Sequence, residues 1–223
     1  MPNDGLIRSR LKTPRAAAIA GMLFSILFVA AFSILRVSVP SDPAETGEWL
    51  KTGSAAVAFA LNLIPFAGIA FLWFVGVLRD RLGTLEDQFF ATVFLGSSLL
   101  FLAILFTVAA VVGAIILTFA ANSESPMTSA AFQFARTLTY GLVNVYMIKM
   151  AGVFMISTST VILYTRIAPR WTAFAGFVVA LLLFFGSSQL PWIFLAFPVW
   201  IFLISACLLI DAFRQRPAEQ PLQ

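Results

Sequence analysis

Residues 136–166 read RTLTYGLVNVYMIKMAGVFMISTSTVILYTR. An apolar run bracketed by Arg136 and Arg166, with Lys149 near its middle, is long enough to cross a bilayer. A lysine at the centre of a membrane helix costs roughly 2.5–3.5 kcal/mol on insertion scales. At ~100° per residue, Tyr146, Ser157, Thr160 and Tyr164 fall within about 80° of Lys149. Lipid does not solvate such a polar stripe, so the spacing predicts that it faces other helices or a wet cavity.

Working outward, the whole chain has the same character. Of 223 residues, 61% are hydrophobic and 11% charged, against about 25% charged in soluble domains. Mean hydropathy is +0.97. Long uninterrupted apolar runs predict membrane helices rather than barrel strands. The apolar runs divide into six spans at about 16–35, 54–78, 89–121, 137–165, 172–188 and 191–210. The predicted fold is an all-α bundle of six transmembrane helices in one domain, between a polar N-terminal tail (1–15) and a polar, disordered C-terminal tail (211–223). A signal peptide is the competing reading of the N-terminus. The first run, about 20 residues, is long enough to span, and the residues Ala31 and Ser33 make a poor and late cleavage site.

Turn and cap residues mark the connections. Asp42 and Pro43 suit the start of a short helix that carries Trp49 and Leu50 at the interface. Thr84 and Asp87 form a capping-box pattern ahead of the third span. Residues 122–135 read as a third loop, Pro169 sits in the turn from Arg166 to Arg170, and Pro191 suits a helix first turn. Pro65 in the second span and Pro198 in the sixth predict kinks. Ala109 and Gly113 form a small-residue pair for close helix contact, and such faces offer a route to a homo-oligomer.

Ten of the fourteen basic residues fall in the N-tail, the second and fourth loops and the C-tail; Arg36, Lys51 and Arg136 fall on the opposite side. The positive-inside rule then places both termini in the cytoplasm. The net charge of +4 is explained by helix ends and anionic headgroups, not by nucleic acid. The bilayer is the expected partner.

Histidine is absent, which removes the commonest metal ligand and general base. The single cysteine, Cys207, lies within an apolar run and reads as a packing residue. Every acidic residue falls in a tail, a loop or a helix end. No intramembrane aspartate pair or nucleophile elbow is present, so the chain is expected not to be an enzyme and to carry no metal or cofactor. Lys149 then needs polar shelter. Asn62 lies at an overlapping depth in the second span, beside the carbonyl that Pro65 frees. Lys149, Asn62, Tyr146, Ser157 and Thr160 are therefore the candidate binding residues, for transport or sensing of a small polar or anionic solute in the outer half of the membrane. The alternative is a structural or partner-binding membrane protein without a ligand site.

Two resemblances add to this. Gly76-Val-Leu-Arg79-Asp80-Arg81-Leu-Gly83 resembles the loop between the second and third spans of major facilitator transporters. There the motif latches the bundle during alternating access, which implies a cytoplasmic latch at Arg79, Asp80 and Arg81. Thr84, Leu85 and Glu86 depart from that family's basic run, and a homodimer is needed to reach its number of spans. The tract from Pro65-Phe-Ala-Gly68 through Arg79–Gly83 to Phe89-Phe-Ala-Thr92 is similar to small six-span bacterial membrane proteins. That implies a plasma-membrane bundle and brings no activity.

Overall fold

The computed structural model describes residues 4–40, 49–82, 88–119, 129–186 and 192–214. Among them the chain is all helical: α1 (Asp4–Ser38), α2 (Trp49–Thr52), α3 (Ser54–Leu82), α4 (Gln88–Phe119), α5 (Ala130–Gly141), α6 (Ile148–Thr165), α7 (Arg170–Phe185) and α8 (Ala196–Arg214). A π-helical segment, Leu142–Met147, joins α5 to α6, and a 3-10 turn, Ile193–Leu195, precedes α8.

Five helical stretches are long and apolar enough to cross a membrane: Arg15–Ser38, Ser54–Arg79, Ala91–Thr118, Ala130–Thr165 and Ile193–Phe213. The expected fifth span is different. α7 has 16 residues, or about 24 Å of helix, short of a ~30 Å hydrocarbon core.

Other boundaries also move. The first helix begins at Asp4, so the stretch expected as a polar tail is helical from there. Arg79, Asp80 and Arg81 belong to the last turn of α3, not to a loop. The lysine helix begins at Ala130, which puts Arg136 inside it and shortens the third loop. Pro198 is the third residue of α8, where its missing N–H costs no helical bond, so it helps start the helix instead of kinking it. The placements expected of Asp42, Thr84, Asp87 and Pro191 lie outside the described residues.

The core is built from phenylalanine. Phe24 and Phe28 of α1, Phe71 of α3, Phe101 of α4, Phe154 of α6, Phe194 and Phe197 meet within the bundle, all of them buried. Ring centroids are 4.8 Å apart for Phe24–Phe71, 5.1 Å for Phe101–Phe197 and 5.2 Å for Phe71–Phe154. Lipid tails are as apolar as these rings, so water expulsion does not drive helix association. What remains is dispersion and ring geometry, about 0.5–1.5 kcal/mol per aromatic pair.

Small residues bring the backbones close. A side chain at Gly21 of α1 collides with Ser205 of α8 and approaches Phe74 of α3 to 2.7 Å. At Gly176 of α7 it collides with Ser159 of α6 and reaches Trp200 of α8 at 2.7 Å. A Cβ built on Gly113 meets Leu61 of α3 only at 3.9 Å, so the helices do not approach closely there, and Ala109 packs on the core.

Candidate functional site

The α6–α7 hairpin decides what Lys149 does. α6 ends at Arg166, which adopts a left-handed conformation (φ 55°) and returns its N–H to the carbonyl of Ile162 at 2.9 Å. Three residues later Pro169 opens α7. The two helices then run antiparallel, which brings Lys149, second residue of α6, level with Phe184, next to last in α7. The Lys149 Nζ donates to the Phe184 carbonyl and lies 5.3 Å from the centre of that residue's ring. The last four carbonyls of a helix have no intrahelical donor. The Gly186 N–H takes the Leu182 carbonyl at 2.7 Å, and Lys149 takes that of Phe184. A cation there also complements the negative end of the helix dipole. Gly152, one turn along α6, leaves room for the Phe184 ring: a Cβ there is 2.9 Å from it.

The other residues singled out by the sequence do not gather around Lys149. Asn62 faces outward and donates to the carbonyl of Ala58 in its own helix at 3.0 Å. Tyr146 is 58% exposed, whereas Ser157 is buried. Ser157 donates to the carbonyls of Val153 and Phe154, and Thr160 to that of Ile156 at 2.9 Å. Each of these three polar side chains is thus satisfied within its own helix. Tyr146 leaves the expected stripe because it precedes Lys149 across a π-helical turn, which shifts the register. Arg79 is exposed at the far end of α3; the side chains of Asp80 and Arg81 lie outside the described residues.

The structure places its cavity elsewhere. A pocket of about 190 Å³ lies between α1, α4, α5, the π-helical segment and the start of α8. Its origin lies in unequal lengths. Arg15 of α1 sits over the ring of Phe213 of α8, 4.9 Å from its centre, so these helices are level at that end. At the other end, Phe194 meets Phe28 and Phe32 at 5.6 and 5.3 Å, while α1 continues to Ser38. The six residues past Phe32 add roughly 9 Å. Above Ile193 and Phe194, among the described residues, the bundle lacks the packing that α8 supplies below.

The walls are mostly apolar, with Leu105, Val108 and Val112 of α4 facing Ala31 and Leu35 of α1, and with Thr139, Tyr140 and Asn144 on the fourth long helix. The mouth is not. Arg36 and Arg136 both line it, with Trp49 beside them. Arg136 donates to the carbonyl of Pro40 at 3.1 Å and lies 5.9 Å from the centre of the Phe132 ring. Arg36 has no carboxylate partner among the described residues. The indole of Trp49 is buried, and among the described residues its N–H has no acceptor. No carboxylate stands among the described lining residues. The sequence reading placed Arg36 and Arg136 on one side of the membrane but used them only to count charge. Their placement at one cavity, from α1 and α5, was not visible, because helix-end arginines are common and nothing in the sequence pairs those ends.

Helices of this length and polarity, packed around a phenylalanine core, define a multi-pass membrane protein. No protein-family model, curated protein or solved structure matches the chain. Neither resemblance noted from the sequence gains support from these comparisons.

Proposed function

We propose that the chain is a plasma-membrane protein with six membrane-inserted segments, α7 among them, and both termini cytoplasmic. In this reading it binds a solute, as a carrier or sensor, and transforms nothing. The binding place is the cavity between α1, α4 and α5, in the outer half of the membrane, not the surroundings of Lys149. The supporting observation is a cavity of about 190 Å³, larger than the ~150 Å³ at which an apolar cavity admits a benzene-sized guest. The charge asymmetry of the sequence supports the orientation, since Arg36 and Arg136 at the mouth belong to the side poorer in basic residues.

The test is binding of a neutral apolar probe, 1-dodecanol, to the full chain in phosphatidylcholine nanodiscs. Dodecanol is expected to raise the unfolding temperature of the wild type and not that of Val108→Trp, which fills the cavity. Equal response of the two proteins overturns the reading.

A further inference from the structure

Resting on that reading, we propose that the ligand is an anionic single-chain amphiphile, a long-chain carboxylate, with its head at Arg36 and Trp49 and its chain directed toward Phe194. Three features of the cavity select this chemistry.

The first is its shape. A volume of about 190 Å³ is below the ~300 Å³ at which pockets for drug-sized ligands begin. It is nevertheless deep. Lining residues run from Arg36 to Phe28 along α1 and from Arg136 to Met147 along the fourth long helix, which is roughly 12 to 16 Å of helix axis. A narrow, deep, apolar space fits one acyl chain and not the two of a membrane phospholipid.

The second is a gradient of polarity. Phe28, Ile193 and Phe194 stand at the deep end, and the two guanidinium groups at the mouth. A guanidinium has five N–H donors and pairs with carboxylates in a two-bond fork. Arg136 is engaged with the Pro40 carbonyl and marks the rim, so the carboxylate fork falls to Arg36.

The third is the indole N–H of Trp49, 95% buried by its residue's exposure of 5% and without an acceptor among the described residues. Buried N–H groups are nearly always paired. A carboxylate oxygen at the mouth supplies the acceptor, and a hydrocarbon chain alone does not.

Dodecanoate, 1-dodecanol, dodecyltrimethylammonium and dilauroylphosphatidylglycerol are titrated against the full chain in phosphatidylcholine nanodiscs, with binding read by calorimetry. Dodecanoate is expected to bind at least tenfold more tightly than dodecanol, and dodecyltrimethylammonium more weakly than either. Arg36→Gln is expected to erase the preference for dodecanoate while keeping dodecanol affinity, which also shows that the variant is folded. Arg36→Lys, which keeps the charge, is expected to retain most of the preference. Dodecanol binding as tightly as dodecanoate overturns the anionic ligand; the cavity reading survives that result. Tighter binding of dilauroylphosphatidylglycerol than of dodecanoate overturns the single chain in favour of a bilayer lipid. No binding of any probe overturns both readings.

Discussion

Replacing Lys149 with methionine separates two energies of opposite sign. Methionine keeps much of the side-chain length and removes the amine. The fourth long span, Ala130–Thr165, has 36 residues with Lys149 close to its centre. When that segment alone enters a bilayer, losing the lysine removes a cost of about 2.5–3.5 kcal/mol, so the insertion equilibrium improves roughly 60- to 300-fold. In the folded chain the same change leaves the Phe184 carbonyl without its donor at the end of α7. A hydrogen bond to a charged group contributes about 1.5–3 kcal/mol. Describing the contact as a cation at a helix C-terminus gives up to ~2 kcal/mol for a partly buried site; this is the same interaction and is not added. Ordinary interhelical hydrogen bonds in membranes average only about 0.6 kcal/mol, because the separated helices find other partners. The measured loss therefore distinguishes a cap from a generic polar contact.

The assays are translocon-mediated insertion of the isolated segment and reversible unfolding of the full chain in mixed detergent. Lys149→Met is expected to insert better and to unfold more easily, by at least about 1.5 kcal/mol. Lys149→Arg, which keeps a donor and the charge, is expected to lose less than half of that. Unchanged or increased stability of the folded Lys149→Met chain refutes the reasoning, because the amine then holds nothing.

Two further outcomes follow from the packing. Gly176→Ala is expected to destabilise the bundle by about 1–3 kcal/mol, because the new methyl meets Ser159 and a Trp200 ring held in place by its 2.8 Å bond to the Thr172 carbonyl. Gly76→Ala has open space within 4 Å and is expected to be neutral or to gain up to ~1 kcal/mol from helix propensity; equal losses at both sites in detergent unfolding contradict this packing. Asn62→Leu is expected to change unfolding by less than about 0.5 kcal/mol and to leave dodecanol binding as it is, since Asn62 faces outward and bonds its own helix. A clear loss of binding in that variant returns Asn62 to the site.

The sequence readily shows length and polarity, because each span must satisfy its own backbone and the bilayer fixes how many apolar residues that takes. For that reason 54–78 and 89–121 lie within a few residues of α3 and α4. It shows poorly which helix a polar residue addresses. Lys149 and Asn62 share a depth, and depth alone suggested a common site. The direction of a side chain depends on helix rotation, and the π-helical segment resets that rotation just before Lys149. A π turn has no sequence signature comparable to a proline, so Tyr146 looked continuous with the stripe from Lys149 to Tyr164 when it was not.

The cavity was hidden for a different reason. It exists because α1 overtops the start of α8, and a difference in helix height is a relation between two ends 155 residues apart, from Ser38 to Ile193. Apolar run lengths carry part of it: the fifth run is visibly short, and a short helix must leave its last carbonyls at membrane depth or find them a donor. Read in that direction, a lysine in the middle of the preceding span is the donor α7 requires. With Lys149 engaged at the end of α7, the polar chemistry open to a ligand lies at Arg36 and Trp49, which line the cavity from α1 and α2. Lys149 closes the end of the short α7, whereas the cavity follows from the unequal heights of α1 and α8.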